Sequence, residues 1–221
     1  MNNLTSSPAW YSEKGIQDDV ICSTRIRLAR NLADFPFPSK LKDEDRERVQ
    51  ALIFDAFSRL ENSSDYQSLS VSNLELLGRL ILAERGVLTQ DMVEKNNTGV
   101  VIRSDGKVSC TVNSFDHLHL SSFSTGLNLQ ENYELISSID SKLQDSLQFA
   151  GMPDFGYLSY RLRDTGTGMK ISMMLHLPAL SYEGLEKNIF KSLVNCGFDI
   201  FACFSNQKNN KTNLSSSTKT N

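Results

Sequence analysis

The sequence predicts an α+β fold, because segments typical of antiparallel hairpins alternate with long amphipathic helices. The clearest hairpin is GVVIR followed by KVSCTVN, with Ser104, Asp105 and Gly106 forming the tight turn between the two runs. The clearest helix covers 41–61, where apolar residues recur at helical spacing behind the acidic opening KDEDRE. Hairpins of this kind argue against a parallel, doubly wound sheet.

The remaining elements follow in chain order. Helical spacing predicts three further helices, over 73–84, 130–147 and 182–195. Strand-forming composition predicts three further strands, over 156–163, 169–175 and 198–204. The first two of these strands are joined by a turn rich in Gly, Thr and Asp.

The chain length sets the domain organisation. With 221 residues, of which 39% are hydrophobic, the chain can form one sizeable core. We therefore expect one domain over 16–204, preceded by an N-terminal arm at 1–15. The segment 205–221 has Leu214 as its only large apolar residue and predicts a disordered polar tail, since burial cannot offset its ordering entropy.

The overall charge excludes some classes of partner. Lys and Arg number 23 and Asp and Glu number 26, giving a net charge of −3, so no chain-wide positive field exists to attract nucleic acid or an anionic membrane. The sequence also lacks signal-peptide features and any uninterrupted apolar run of membrane-spanning length, which predicts a soluble, cytoplasmic protein. The four cysteines fit no C-x-x-C spacing and are expected to be reduced thiols.

One short stretch, STRIRLARN, concentrates positive charge among apolar residues, with arginines at positions 25, 27 and 30. In an extended segment Arg25 and Arg27 point the same way, so both guanidinium groups can bind one polyphosphate. An isolated R-x-R more often lies on a solvated surface or pairs with nearby acids. The sequence around this stretch therefore decides between the two interpretations.

That context resembles a known family. STRIRLARN followed by PFP resembles the opening of the catalytic domain of the ATP:guanido phosphotransferase family, and most of all that of its bacterial protein-arginine kinases. Three further blocks resemble the family in the same order, namely NSFDHL at 113–118, GYLS at 156–159 and TGTGMKISMMLHLPAL at 165–180. Together the blocks span about 16–204, so a chance match is a poor explanation.

The resemblance implies a mostly antiparallel sheet flanked by helices, with ATP and Mg²⁺ bound and the γ-phosphoryl group transferred to a guanidinium nitrogen. It implies these candidate ATP-phosphate residues: Ser23, Thr24, Arg25, Ile26, Arg27, His119 and Lys170. It also implies ATP or ADP as ligand, a protein substrate or regulatory protein partner, and a homodimer as one possible assembly. The family domain continues beyond this sequence, so the domain is expected to be incomplete.

The sequence departs from the family pattern at several catalytic positions. The family's substrate-facing carboxylate corresponds to Phe115, and we expect that Asp116 cannot replace it, because adjacent residues of a strand point to opposite faces. Of the five phosphate arginines that the resemblance implies, Arg25 and Arg27 persist. The other three correspond to His119, to Lys170 and to Phe201.

Three further positions also differ from the family. Arg161 stands where the family has a cysteine, Gly86 stands where the family has a histidine beside the nucleotide base, and a second carboxylate expected after 201 is absent. His117 and His119 share a face of the predicted strand, a spacing that a metal pair could use. No further Cys or Asp spacing supports a zinc site, so we expect no metal ligands among these histidines.

Two hypotheses follow. A guanidinium acceptor has a pKa above about 12 and needs carboxylates to orient it and accept its proton. Because both carboxylates are missing, the first hypothesis is a family member with a partly kept phosphate cradle, impaired or inactive in phosphoryl transfer, that acts as a regulatory or interaction module. The second is an active protein-arginine kinase in which Arg161 or Lys170 compensates.

Overall fold

The computed structural model of the chain describes residues 9–94 and 97–201, apart from the side chains of Gln90 and Asp91. The chain divides into two compact units, Met1–His176 and Leu177–Asn221, which are considered separately. The predicted tail at 205–221 and the first eight residues of the predicted arm lie outside the described residues. None of the helices in the described ranges is long and apolar enough to cross a membrane.

The first unit is built on an antiparallel sheet. Its described strands are β1 (Ile21–Arg30), β2 (Tyr66–Ser70), β3 (Gly99–Arg103), β4 (Val108–Val112), β5 (Leu118–Thr125), β6 (Gly151–Met152), β7 (Gly156–Tyr157) and β8 (Met169–Leu175). Six of them form one sheet in the order β2-β3-β4-β5-β1-β8, and β6 pairs with β7 in a small separate ribbon. Every strand pairing is antiparallel.

Four described helices accompany this sheet, and two more form the second unit. They are α1 (Asp43–Ser58), α2 (Leu76–Glu84), α3 (Gln90–Glu94) and α4 (Leu129–Gln144), followed by α5 (Pro178–Tyr182) and α6 (Glu186–Asn195). α1 begins with three acidic residues, which stabilise the positive end of a helix dipole. The predicted α+β class, with a mostly antiparallel sheet flanked by helices, is confirmed.

The main core lies on one face of the sheet. Alternate residues of β1, Ile26 and Leu28, point to this face, where Leu28 lies opposite Leu120 of β5. Ile53 of α1 and Ile136 of α4 pack against them, and all five side chains are buried. Burying such side chains contributes roughly 1.5–3 kcal/mol each, so this face provides most of the unit's hydrophobic stabilisation.

The opposite face of the sheet is covered only in part. Val100 of β3 packs there with Val71, Leu88 and Met92 in a second, smaller cluster that includes residues of α2 and α3. Along β5, β1 and β8 the same face carries mostly polar and charged side chains. The sheet therefore has one apolar face and one face that is apolar at β3 and polar at β1.

Most predicted elements are confirmed, with shifted ends. The helix predicted over 41–61 is α1, and those over 73–84 and 130–147 are α2 and α4. The helix predicted over 182–195 begins only at Glu186, because the short helix α5 and a turn at Gly184, which has a positive φ, precede it. The hairpin at 99–113 is β3 and β4.

The strand predicted over 156–163 is wrong. Only Gly156 and Tyr157 are extended and paired, and Leu162–Asp164 forms a 3-10 turn. The chain cannot continue as a strand because the Tyr160 N–H donates to the Asp116 carboxylate rather than to a neighbouring strand. The strand predicted over 198–204 is not seen in 198–201, and 202–204 lie outside the described residues.

Candidate functional site

The polar face of the sheet brings Arg25 and Arg27 together. In the register of β1 with β5 and β8, Arg25 lies between Phe123 and Ser172, and Arg27 lies between Ser121 and Lys170. Residues directly opposite each other in an antiparallel pair share a face. The two guanidinium groups, the Lys170 ammonium and two serine hydroxyls therefore belong to one surface.

Arg25 is half-buried, and among the described residues it has no acidic partner. One of its terminal nitrogens donates to the Ser121 hydroxyl at 3.4 Å, and its guanidinium lies 5.2 Å from the centre of the Phe123 ring. Its Nε atom is buried without a hydrogen-bond partner. Burial, with a smaller effect of the Arg27 charge, lowers the pKa of Arg25 to about 10. The folded protein therefore holds this charge in an unfavourable environment.

Arg27 is also half-buried, and no carboxylate in the described ranges lies within ion-pair distance of it or of Arg25. Burial lowers the pKa of Arg27 from its usual value. The negative charge of Asp164 opposes that effect, the positive charge of Arg161 adds to it, and Asp116 again opposes it. Burial is therefore the main cause of the lowered pKa, and the two acids offset part of it without contacting the guanidinium.

Behind the arginines, Asp116 links several segments. Its carboxylate accepts hydrogen bonds from His119 at 2.9 Å, from the Asn31 amide at 2.7 Å and from the Tyr160 N–H at 2.7 Å, and the Ser159 hydroxyl lies at 3.4 Å. Burial alone would raise the pKa of Asp116, but these hydrogen bonds hold it below its usual value. The carboxylate is thus ionised and its acceptor sites are occupied.

The placement of Asp116 corrects the expectation that it lies on a strand and faces away from the site. β5 begins only at Leu118, and Asn113 has a φ of 59°, so the segment before β5 is a turn. In a turn neighbouring side chains need not alternate between faces. The Asp116 carboxylate therefore reaches His119, whose pKa is lowered by burial and by the charges of Arg27 and Arg25, while the bond to Asp116 opposes that shift.

His117 and His119 do not form a metal pair. His117 is fully buried: its Nδ1 accepts the Leu32 N–H at 2.9 Å and its Nε2 lies 3.0 Å from the Pro36 carbonyl. Both ring nitrogens are therefore used in fixing the loop after β1. In the described part of the chain no group of three His, Cys, Asp or Glu side chains could hold a metal ion.

Not all predicted phosphate residues reach the polar face with their side chains. Ser23, His119 and Lys170 share the face of Arg25 and Arg27 in the strand register. Thr24 and Ile26 do not, because they alternate to the core side. The Thr24 hydroxyl donates to the Gly126 carbonyl at 2.6 Å, and Ile26 is 1% exposed in the main core.

Comparison with known proteins identifies the domain. The model of the ATP:guanido phosphotransferase C-terminal catalytic domain matches residues 48–215. The chain belongs to this family. The match covers most of the chain, although STRIRLARN itself lies before it.

Curated relatives agree with the family assignment. The protein-arginine kinase of Pelotomaculum thermopropionicum is 37% identical over 204 residues, which cover 90% of this chain and 57% of that protein. The protein-arginine kinase of Syntrophomonas wolfei is 34% identical over 197 residues, covering 87% and 55%. This chain thus spans about half the length of the curated relatives it matches.

Solved structures show the same fold. The duplicated taurocyamine kinase from Schistosoma mansoni, with bound transition state analog components, has a TM-score of 0.70 at 22% identity over 85% of this chain and 27% of that chain. Lombricine kinase has a TM-score of 0.65 at 19% identity over 82% and 57%. The sheet described above is therefore the sheet of a guanidino kinase domain.

In this ATP:guanido phosphotransferase domain, the position of the expected carboxylate carries an aromatic contact. Phe115 is 38% exposed and stacks on Tyr160 with ring centres 5.6 Å apart. The Arg161 guanidinium lies 5.5 Å from the Phe115 ring centre. Gly86, which stands where the family has a histidine, lies beside Arg25, because a Cβ on Gly86 would be 3.8 Å from the Arg25 Nη1. Phe201, which stands where the family has an arginine, belongs to the second unit.

Sequence reasoning did not identify two contacts near the arginine pair. Asp116 and its partner Tyr160 are far apart in sequence, and no spacing rule connects them. Trp10 of the N-terminal segment stacks on Phe123, with ring centres 5.7 Å apart, so Phe123 contacts Trp10 as well as Arg25. A lone Trp ahead of the first motif gave only a weak signal for this contact.

Proposed function

We propose that this domain binds the phosphates of ATP or ADP on the polar sheet face, through Arg25 and Arg27 with Ser23, His119 and Lys170 beside them. The observation that supports this most is the pair of half-buried guanidinium groups that share one face and have no carboxylate within ion-pair distance in the described residues. Burial of unpaired charge is unfavourable, and a polyphosphate supplies the missing negative charge. Thr24 and Ile26 would contribute backbone only.

We also propose that phosphoryl transfer to arginine is impaired or absent, and that the domain acts as a regulatory or interaction module. A phenyl ring at position 115 cannot accept a guanidinium proton, and the Asp116 oxygens already accept hydrogen bonds from three other segments. Loss of a positioned base alone typically reduces a rate by about 10²- to 10⁴-fold.

Mg²⁺ fits this proposal only as a companion of the nucleotide. Magnesium usually keeps several waters and binds through substrate phosphates and one or two carboxylates. Asp164 is the nearby carboxylate outside the Asp116 hydrogen-bond network whose charge affects Arg27. The metal would offset the charge on the transferring phosphoryl group, and the protein's own share is the positive surface around Arg25 and Arg27.

The second candidate function is an active protein-arginine kinase, the name that the curated relatives carry. One observation favours it: the Asp116 carboxylate has a lowered pKa and lies close enough to influence Arg27, so one ionised acid remains at the site. With either candidate we propose a cytoplasmic location, a protein substrate or protein partner, and a homodimer. Light scattering on the purified protein would detect the homodimer.

Isothermal titration with Mg-ATP and Mg-ADP tests the binding proposal. Each charge-assisted phosphate contact contributes about 1.5–3 kcal/mol, so the double variant Arg25→Ala, Arg27→Ala should weaken binding by at least about a hundredfold. Arg59→Ala is the matched control, because Arg59 is an exposed arginine at the C-terminal cap of α1, paired with Asp55. Equal affinity in the double variant and the control would show that Arg25 and Arg27 do not form the phosphate-binding site.

A phosphoarginine assay separates the two candidates. The unaltered chain, given Mg-ATP and an arginine-rich protein, should yield no more phosphoarginine than a no-enzyme control when mass spectrometry is done without acid. Phe115→Glu should not restore activity, since catalytic groups that act as a unit are not independent. Phosphoarginine formed by the unaltered chain and lost in Arg25→Ala would establish the kinase instead.

A further inference from the structure

The segment after β7 is fixed at the edge of the polar face by its backbone. The Tyr160 N–H donates to the Asp116 carboxylate, which in turn accepts the His119 ring N–H. His119 lies opposite Ala29 on β1, two residues from Arg27 and on the same face. The residue that follows Tyr160 is therefore held next to the arginine surface.

That residue is Arg161, whose guanidinium rests on an aromatic ring. Its guanidinium lies over the Phe115 ring at 5.5 Å, and the ring is backed by Tyr160. In the portion of the chain that the structure describes, Arg161 makes no hydrogen bond or ion pair with a side chain. It is close enough for its charge to lower the pKa of Arg27. Arg161 is exposed, so it can turn toward a ligand at low cost.

A third guanidinium changes what this side of the site can bind. A cationic acceptor would meet the like charge of Arg161 and a phenyl ring where it needs a carboxylate. An additional phosphate, by contrast, would gain a planar fork of donors that suits phosphate oxygens. The aromatic pair under Arg161 supports the guanidinium through a cation–π contact and does not neutralise its charge.

We propose that Arg161 is a third phosphate-binding residue, which contacts the terminal phosphate of a triphosphate whose other phosphates lie on Arg25 and Arg27. This inference rests on the proposed phosphate cradle and assigns it a preference for three phosphates over two. The ligand class is a linear triphosphate, either of a nucleotide or inorganic.

Titration with four probes tests the assignment: ATP, ADP, inorganic tripolyphosphate and pyrophosphate, all without Mg²⁺. Arg161→Ala should weaken ATP and tripolyphosphate binding about tenfold or more, and ADP and pyrophosphate binding less than about threefold. Arg161→Lys should lie between, because it keeps the charge and loses the fork. The control Arg59→Ala changes an exposed arginine at the C-terminal cap of α1 and should alter none of the four affinities.

The outcomes are distinct for the two proposals. Unchanged triphosphate affinity in Arg161→Ala, or an equal loss for diphosphates and triphosphates, would overturn the assignment of Arg161. If the Arg25→Ala, Arg27→Ala variant nevertheless loses all binding, the phosphate cradle itself would stand. Absence of binding of all four probes to the unaltered protein would overturn both.

Discussion

One strand, β1, carries three arginines in two different environments. Arg30 points to the core side, where its guanidinium makes a salt bridge of 2.8 Å to Asp140 of α4 and lies 3.7 Å from the centre of the Tyr157 ring. It also donates to the carbonyls of Ala29 and Thr167. Arg25 and Arg27 point to the polar face, where no carboxylate of residues 9–94 or 97–201 lies within ion-pair distance.

The difference separates a structural arginine from two arginines that we propose to bind phosphate. Arg30 is more deeply buried than the other two, yet its charge is satisfied by the fold itself, so it joins β1 to α4. The charges of Arg25 and Arg27 are satisfied only if something else supplies anions. Burial of an arginine therefore says little about its role until its acidic partner is known.

The largest effect should come from breaking the Arg30 pair. Asp140→Ala leaves a buried guanidinium uncompensated, which typically lowers the free energy of unfolding by about 3–5 kcal/mol. Asp55→Ala removes a pair of the same type on the surface of α1 and should lower it by less than about 1 kcal/mol. Urea unfolding measures both. Similar values for the two variants would contradict the contrast between buried and exposed pairs.

The second effect is the dependence of stability on pH that we expect from the buried histidine His117. Burial lowers the pKa of His117 to about 4 from an ordinary value of 6.5, against smaller raising effects of Pro36 and Asp116. Between these pH values the unfolded chain binds more protons than the folded one, so the free energy of unfolding should fall as the pH falls. The loss should be on the order of 3 kcal/mol from pH 6.5 to 4.

The control for this pH effect is a histidine outside the core. His117→Gln should flatten the dependence of the unfolding free energy on pH, after allowing for its lower absolute stability. His176→Gln, a change at an exposed position, should leave the dependence as it is in the unaltered protein. An equally steep dependence in His117→Gln would assign the effect to other groups, of which His119 has a pKa shifted in the same direction.

A smaller effect of opposite sign is expected for Arg25. Because the folded protein disfavours this charge, Arg25→Leu should raise the free energy of unfolding by about 1 kcal/mol while removing phosphate binding. Arg25 would thus lower the free energy of unfolding while allowing phosphate binding, whereas the Arg30 ion pair is expected to raise it. A loss of stability in Arg25→Leu, measured by the same urea titration, would make Arg25 a structural residue.

The smallest effect is expected at the edge of the sheet. Lys170 lies on β8 opposite Arg27, and an ammonium there adds a point charge without a bidentate fork. Lys170→Ala should weaken triphosphate binding by about threefold at low salt, and less at high salt, because salt screens a partly exposed charge. A loss as large as that of the Arg25, Arg27 double variant would place Lys170 at the centre of the site.

The sequence could predict the polar face because strand alternation is a local rule. Arg25 and Arg27 are two residues apart, so they lie on one face of the strand, and Arg30, three residues after Arg27, lies on the other face. The partner of Arg30, Asp140 on α4, is remote in sequence. The turn ahead of β5 and the segment at 158–161 could not be predicted. Their conformation depends on the Asp116 carboxylate, and such contacts between distant segments leave no periodic pattern in the chain.

Asp116 also ties the kinetics of the site to a single local opening. The loop after β1, the start of β5 and the segment holding Arg161 all end on this one carboxylate, through Asn31, His119 and Tyr160. Each segment must break a hydrogen bond to this buried charge before it can leave, so we expect the openings of the three segments to be coupled. The rate of that opening would then limit both the exchange of the Tyr160 amide proton with solvent and the escape of a bound phosphate.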